Sequence, residues 1–422
     1  MTPRTSCALS SGDLSQATTV FADDSGGVHF NITPMQEGAG TLFLDCVAGN
    51  GSLQRYPLQL TATTDPVAIA TSNASMKSLA TSRNGTLRPA LTGDPMSYAS
   101  GDLLVQGYGV RPDPVLHPDA YAAWLAFARA PGIVVSGRSV VDTGHTNGPN
   151  ENRHVNEFPQ GGGGWSGAVE HKISASMVNV FASFTVPQVF AESNIGNHSS
   201  ASSWVGLGGT GTDLPLWQTG VEEYTQTLLF FETSQYTPWW ELFPGSNNGS
   251  QTTLPNMNVN NGDAIQVQAW VCDPTEGFTS IAPGAPNAHL CASMSDLTQS
   301  ESWFSWTANP AVRLSCDNTP ATVCGTTSFT TAEVIQEWPL TNGGVSDYAQ
   351  FNQFAFSGTG AIDANFNEAN SIGGPSSNDP FTTQMWQIGT GSRIVGGSCI
   401  GVNPPACSDT GNLIWVNWVS HK

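Results

Sequence analysis

Charge is scarce in this sequence. Only 11% of its 422 residues are Asp, Glu, Lys or Arg, and just 13 are basic. Long solvated helices need Lys, Glu and Arg on their outer faces, which argues against an α-bundle or coiled coil. No apolar run approaches the roughly 18 residues of a membrane-spanning helix, so no membrane partner is expected. The eight cysteines contain no C-x-x-C pair, and neither H-E-x-x-H nor G-x-S-x-G occurs. The common zinc, thioredoxin-like and serine-hydrolase readings therefore have no motif to rest on. What is abundant is Gly (45), Pro (27) and Trp (13), with 39% hydrophobic residues. That composition is folded rather than disordered.

The net charge is −20. A chain this acidic repels phosphate backbones, so no nucleic-acid partner is expected. The charge is uneven. Residues 1–160 hold nine basic and 13 acidic residues, a net of −4; the rest hold four basic and 20 acidic, a net of −16. Acid unfolding is largely the protonation of paired carboxylates, and a chain with few pairs has little to lose at low pH. The asymmetry suggests two units, with the more basic one docked on the acidic one by charge, as a prodomain or an accessory domain.

Pairing the cysteines as neighbours gives Cys7–Cys46, Cys272–Cys291, Cys316–Cys324 and Cys399–Cys407. Short disulfide-closed loops suit a secreted, extracellular β-protein.

Residues 1–105 read as short strands, such as TLFLDCV (41–47) and YPLQLTA (56–62), in a small β-rich domain. Residues 106–164 read as a Pro-rich segment, one short helix and a Gly-rich linker. In the helix, Pro118 suits the first position, and Tyr121, Trp124, Leu125 and Ala128 share a face. From Trp165 to the end, long alternating strands return: VNVFASFTV (178–186), DAIQVQAWV (263–271), YAQFNQFAF (348–356) and NLIWVNWV (412–419). The fold class is thus all-β: a large antiparallel β-sandwich over 165–422, preceded by a smaller β-rich domain and one short helix.

Two segments carry candidate chemistry. In LPLWQTGVEEY (214–224), Leu216, Gln218 and Gly220 share one strand face and Trp217, Thr219 and Val221 the other. In TTAEVIQEWPL (330–340), Glu333, Ile335 and Glu337 share a face. The two glutamates lie four residues apart, roughly 13 Å along a strand, too far to be a contacting pair. By themselves, Gln218 could be a satisfied core amide and the glutamates the charged guards of an edge strand.

In order along the chain, GGWSGAVE (163–170), SWVGLGG (203–209), LWQTGVEEY (216–224), PWWELFP (238–244) and TAEVIQEWPL (331–340) resemble the motifs of the glutamic peptidases, the eqolisin or G1 family. The resemblance covers about 165–422. It implies a prokaryotic-type member with an N-terminal extension. It also implies Gln218 and Glu333 as catalytic residues, with Trp165, Trp204, Trp239, Glu222 and Glu241 in the substrate-binding cleft. Gly208 departs from the family, which often has an acidic residue there. The implied reaction is hydrolysis of polypeptide substrates in acid by an activated water, with no metal and no cofactor. An unperturbed Glu titrates near pH 4.3 and can act as base and then acid, while a Gln amide remains a donor at any acid pH.

Other readings are weaker. The Asp142–Gly144 and Asp24–Gly26 turns carry an aspartic-peptidase-like pattern, but without flanking apolar strands. A lectin-like sandwich could stack sugars on Trp165, Trp204, Trp239 and Trp240. The expected species is a secreted, monomeric zymogen.

Overall fold

The computed structural model describes residues 66–135, most of 165–307 and of 329–369, and isolated strands outside these ranges. The N-terminal region opens with β1 (Ser6–Ser10), β2 (Thr18–Phe21), β3 (Gly38–Val47) and β4 (Leu53–Ala62). These form one antiparallel sheet in the order β2-β1-β3-β4. The register sets Cys7 opposite Cys46.

Three helices follow, where the alternation and the single apolar stripe imply one. They are α1 (Pro66–Ser82), α2 (Ser100–Val105) and α3 (Pro118–Arg129). The expected helix is α3, with Trp124 and Ala128 buried. The sequence of α1 is built from Ala, Ser, Thr and Asn with no apolar stripe, so no helical period marks it. In the six residues of α2, Leu103 and Leu104 enter different apolar clusters. Around the helices lie β5 (Gly85–Arg88), β6 (Gly132–Val135), β7 (Val140–Val141) and β8 (His145–Thr146).

The sandwich is built from β9 (Trp165–His171), β10 (Met177–Thr185), β11 (Val189–Phe190), β12 (His198–Leu207), β13 (Leu216–Leu228), β14 (Phe231–Phe243), β15 (Thr252–Thr253), β16 (Ala264–Asp273), β17 (Thr279–Ser280), β18 (His289–Asp296), β19 (Glu301–Trp306) and β20 (Thr331–Glu337). Short strands β21 (Leu340–Thr341), β22 (Gly344–Val345), β23 (Asp347–Tyr348) and β24 (Gln350–Phe351) lead to β25 (Phe354–Asp363), β26 (Glu368–Ala369), β27 (Thr382–Trp386), β28 (Ser392–Gly397) and β29 (Leu413–Trp418). The front sheet runs β27-β9-β20-β12-β13-β14-β15-β7 and the back sheet β28-β29-β25-β10-β16-β18-β19-β6-β5.

Period-2 alternation explains how the sheets meet. In β10, Val178, Val180, Ala182 and Phe184 point inward, against Ile265, Val267, Ala269 and Val271 of β16. The front sheet answers with Val205, Leu207, Trp217, Val221, Ala332 and Val334. Each fully buried Val, Leu or Phe side chain contributes about 1.5–3 kcal/mol. The disulfide Cys272–Cys291 joins β16 to β18 on the outer face of the back sheet, Cα to Cα 5.9 Å. Cys316, Cys324, Cys399 and Cys407 lie outside the described residues.

Residues 83–135 meet the back sheet through strand pairing, apolar packing, a hydrogen bond and an ion pair. Strand β6 pairs in parallel with β19. Leu104 and Val110 pack on Trp270 and the disulfide, and Ser302 Oγ donates to Gly107 O at 2.6 Å. One ion pair, Arg83–Glu301, ties the end of α1 to β19. Arg88 and Arg111 turn their guanidinium groups inward, to the carbonyls of Phe127, Ala128, Pro95 and Tyr98.

Candidate active site

The register of the front sheet brings the distant motifs into one line. Gln218 on β13 stands opposite Gly206 on β12, and Gly206 stands opposite Glu333 on β20. Gln218 is also opposite Glu241 on β14, and Glu333 opposite Val169 on β9. The row therefore reads Val169, Glu333, Gly206, Gln218, Glu241. Neighbouring strands lie about 4.8 Å apart, so Glu333 and Gln218 flank a floor two strand intervals wide.

Gly206 is a residue the motif reading passes over. A Cβ on it would lie 2.8 Å from the Trp204 ring and 2.9 Å from Leu216 Cδ1. Only a missing side chain at this position leaves room for the Trp204 ring and Leu216 to close over the strand between Gln218 and Glu333. The signal in the sequence is a glycine inside a strand, which marks a close approach of some other group. Gly220 serves the same purpose in the adjacent row: a Cβ there would collide with the Ser203 carbonyl and with Trp204.

The next rows carry the tryptophans. Trp204 lies between Ile335 and Gly220, with Trp239 beyond Gly220. Trp165 is opposite Glu337, and its ring meets Trp204 edge-on at 4.9 Å. These rings, with Val169, Leu216 and Ile335, form an apolar cluster of their own on this face.

The acidic side chains are held by specific donors. Gln218 Nε2 donates to Glu241 Oε2 at 3.1 Å. Trp204 Nε1 donates to Glu337 Oε2 at 2.8 Å, Gln251 Nε2 to Glu222 Oε2 at 2.5 Å, and Trp239 Nε1 to Ser202 Oγ at 3.2 Å. Among the described side chains no Lys or Arg follows Arg129.

Of the expected site residues, Gln218, Glu333, Glu241, Glu222, Trp165, Trp204 and Trp239 all share this face, and all are buried. Glu241 and Glu222 accept from Gln218 and Gln251. Strand β20 lies between β9 and β12, so its glutamates do not guard an edge. Trp240 turns to the core, 5.5 Å from Trp217, so the four tryptophans do not form one platform. Gly208 has φ 83° and donates its N–H to Thr331 O at 3.0 Å. That left-handed backbone favours glycine over an acidic residue.

Residues 163–378 match the peptidase A4 family, and this match spans half of the chain. The chain belongs to the peptidase A4 family. It is a peptidase of the eqolisin type by that membership. Among solved structures, it is similar to a Scytalido-glutamic peptidase with a peptide-based transition-state analogue (19% identity over 61% of this chain and 98% of that one, TM-score 0.39). It is similar as well to SCP-B, an eqolisin in a complex with the tripeptide Ala-Ile-His (17%, 61% and 98%, TM-score 0.36). A third is aspergilloglutamic peptidase from Aspergillus niger (17%, 52% and 99%, TM-score 0.31). No curated protein matches the chain.

On the core side of the A4 sheet lies a second polar group. Ser203 Oγ is 2.7 Å from Glu223 Oε1 and 2.5 Å from Gln336 Oε1, and Gln336 Nε2 is 3.5 Å from Glu223 Oε2. Burial pushes the Glu223 carboxyl up to about 8.

Proposed function

We propose that this A4 peptidase is an acid-acting endopeptidase whose chemistry is carried by Glu333, Gln218 and a water. The observation that carries the reading is the row Glu333–Gly206–Gln218. It sets a carboxyl and a primary amide on either side of a floor with no side chain.

In this scheme the Glu333 carboxylate takes a proton from the water as its oxygen attacks the scissile carbonyl carbon. The negative charge passes to the carbonyl oxygen, where a Gln218 N–H donates to it. Such a donor contributes about 2.7–4 kcal/mol to the transition state. Glu333 then gives its proton to the amide nitrogen, the C–N bond breaks, and acid and amine leave. The bond to Glu241 fixes the plane of the Gln218 amide, so its donor is aimed before substrate arrives.

The test is protein digestion at pH 2–5 with pepstatin present. Glu333→Gln and Gln218→Glu should each abolish turnover while far-UV and near-UV circular dichroism stay as in the wild type. Near-wild-type turnover by a folded Glu333→Gln protein overturns the assignment.

A further inference from the structure

The outer face of the back sheet, on the far side of the core from Glu333, has an unusual composition. Its outward positions form two adjoining rows: Phe181, Gln268 and Ser293, then Ser183, Gln266 and Ser295. Five of these six side chains are neutral amides or hydroxyls. The segment leading into α3, with α3 itself, roofs this face. Between roof and sheet lies a cavity of about 220 Å³, lined by these residues and by Asn179, Arg111 and His117.

Gln268 is the informative side chain. It is 6% exposed. Its Nε2 donates to Asn179 Oδ1 at 2.8 Å, and Asn179 Nδ2 donates to Ser280 Oγ at 3.1 Å. Its Oε1 is buried with no hydrogen-bond partner among the described residues. A buried carbonyl left that way costs about 1–3 kcal/mol. Turning both amides over would instead present the Gln268 NH₂ to the cavity. A hydroxyl, which both donates and accepts, satisfies either orientation.

The charged groups at the rim are already engaged. The Arg111 guanidinium donates to Pro95 O, Tyr98 O and Ser100 Oγ. Asp113 accepts from the amides of Val115 and Leu116. Arg111 and Asp113 carry opposite charges that offset each other at the rim, so the lining favours a neutral ligand over an ion of either sign. One wall is apolar, where the Phe181 ring meets His117 at 4.9 Å. The volume is below the roughly 300–1,000 Å³ of drug-sized pockets, which suits a single ring rather than a chain. We propose that this cavity binds a neutral hexose, with Gln268 hydrogen-bonding a ring hydroxyl and Phe181 covering an apolar edge.

The test uses the full-length chain at pH 4 with glucose, galactose, mannose and N-acetylglucosamine as probes, and a capped neutral dipeptide as comparison. Binding is read by saturation-transfer NMR and by melting temperature. At least one hexose should bind saturably in the millimolar range, and Ser293→Leu and Gln268→Met should each weaken it by at least about tenfold. Ala120→Phe blocks the same cavity from the roof, and serves if Ser293→Leu does not fold. No saturable hexose binding overturns the proposal. So does hexose binding that folded cavity variants leave unchanged, or binding of the dipeptide without any hexose.

Discussion

Ser203 Oγ carries one hydrogen but lies within bonding distance of two oxygens, Glu223 Oε1 and Gln336 Oε1. With Glu223 ionised, both are acceptors and one contact is left without a proton. With Glu223 protonated, the ring closes: the acid hydroxyl donates to Ser203, Ser203 to Gln336, and Gln336 Nε2 to Glu223 Oε2. The group is fully buried, and burial is the largest cause that moves its pKa from 4.5 to about 8. Below about pH 4.5 both folded and unfolded chains hold this proton, and the full stabilisation is present. Above it the unfolded chain releases the proton while the folded chain keeps it, so stability falls as pH rises through about 8. At about 1.4 kcal/mol per pH unit, the loss reaches about 4 kcal/mol at pH 7.5. That is a large share of the roughly 5–15 kcal/mol typical of a folded protein.

Glu223→Gln removes the titration and keeps the ring, because the new amide donates to Ser203 and its carbonyl accepts from Gln336. Melting followed by tryptophan fluorescence should show little difference from wild type at pH 3.5. At pH 7.5 the variant should melt higher by roughly 8–16 °C. A variant no more stable than wild type at pH 7.5, or equally destabilised at both pH values, refutes the reasoning.

Glu337→Gln should keep most peptidase activity, because an amide oxygen still accepts from the Trp204 indole; loss of activity there with activity kept in Glu333→Gln would move the base four residues along β20. Gly206→Ala should abolish turnover and cost about 1–3 kcal/mol of stability, measured by urea denaturation, because its methyl group enters the floor beside Trp204 and Leu216. Glu241→Ala should lower kcat more than it raises KM, since it aims Gln218 rather than binding substrate. Asp296→Asn should flatten a further portion of the pH dependence of melting: burial and the Asp263 charge hold Asp296 well above the usual carboxylate range, so its stabilisation is also present in acid and lost as pH rises.

Much of the sandwich is legible in the sequence because period-2 alternation is local. The inward Val178, Val180, Ala182 and Phe184 can be read off a single strand. The site faces are legible for the same reason: Gln218 and Gly220 fall on one side of β13 and Trp217 and Val221 on the other. The row that joins Glu333 to Gln218 is not local. It depends on β12 lying between β20 and β13, and on Gly206 rather than Val205 or Leu207 falling in register. Nothing in either motif alone specifies that pairing. Two glutamates in β20 suggest an edge, yet the strand is central because its carboxyls face a shared polar and indole-lined surface. The chain from Gly107 to His117 reads as a Pro-rich connector, while the Trp124 indole bonds Tyr108 O at 2.6 Å and fixes it as a roof.

The two faces of the front sheet put opposite demands on carboxyl groups. On the cleft face, the proposed base Glu333 must lose a proton and regain it within each cycle. On the core face, Glu223 must never lose its own. Glu223 keeps its proton throughout acid and up to about pH 8. Neutralisation therefore acts on the core ring through Glu223, while in the proposed scheme the Glu333 carboxylate takes the proton it returns from the attacking water. Glu223→Gln separates them. At pH 7.5 this variant should remain folded by circular dichroism and tryptophan fluorescence where the wild type is less stable, and it should keep full activity at pH 4. If the folded variant is active at pH 7.5, loss of the core ring sets the upper pH limit of the wild type; if the variant melts no higher than wild type there, the core-ring reasoning is wrong.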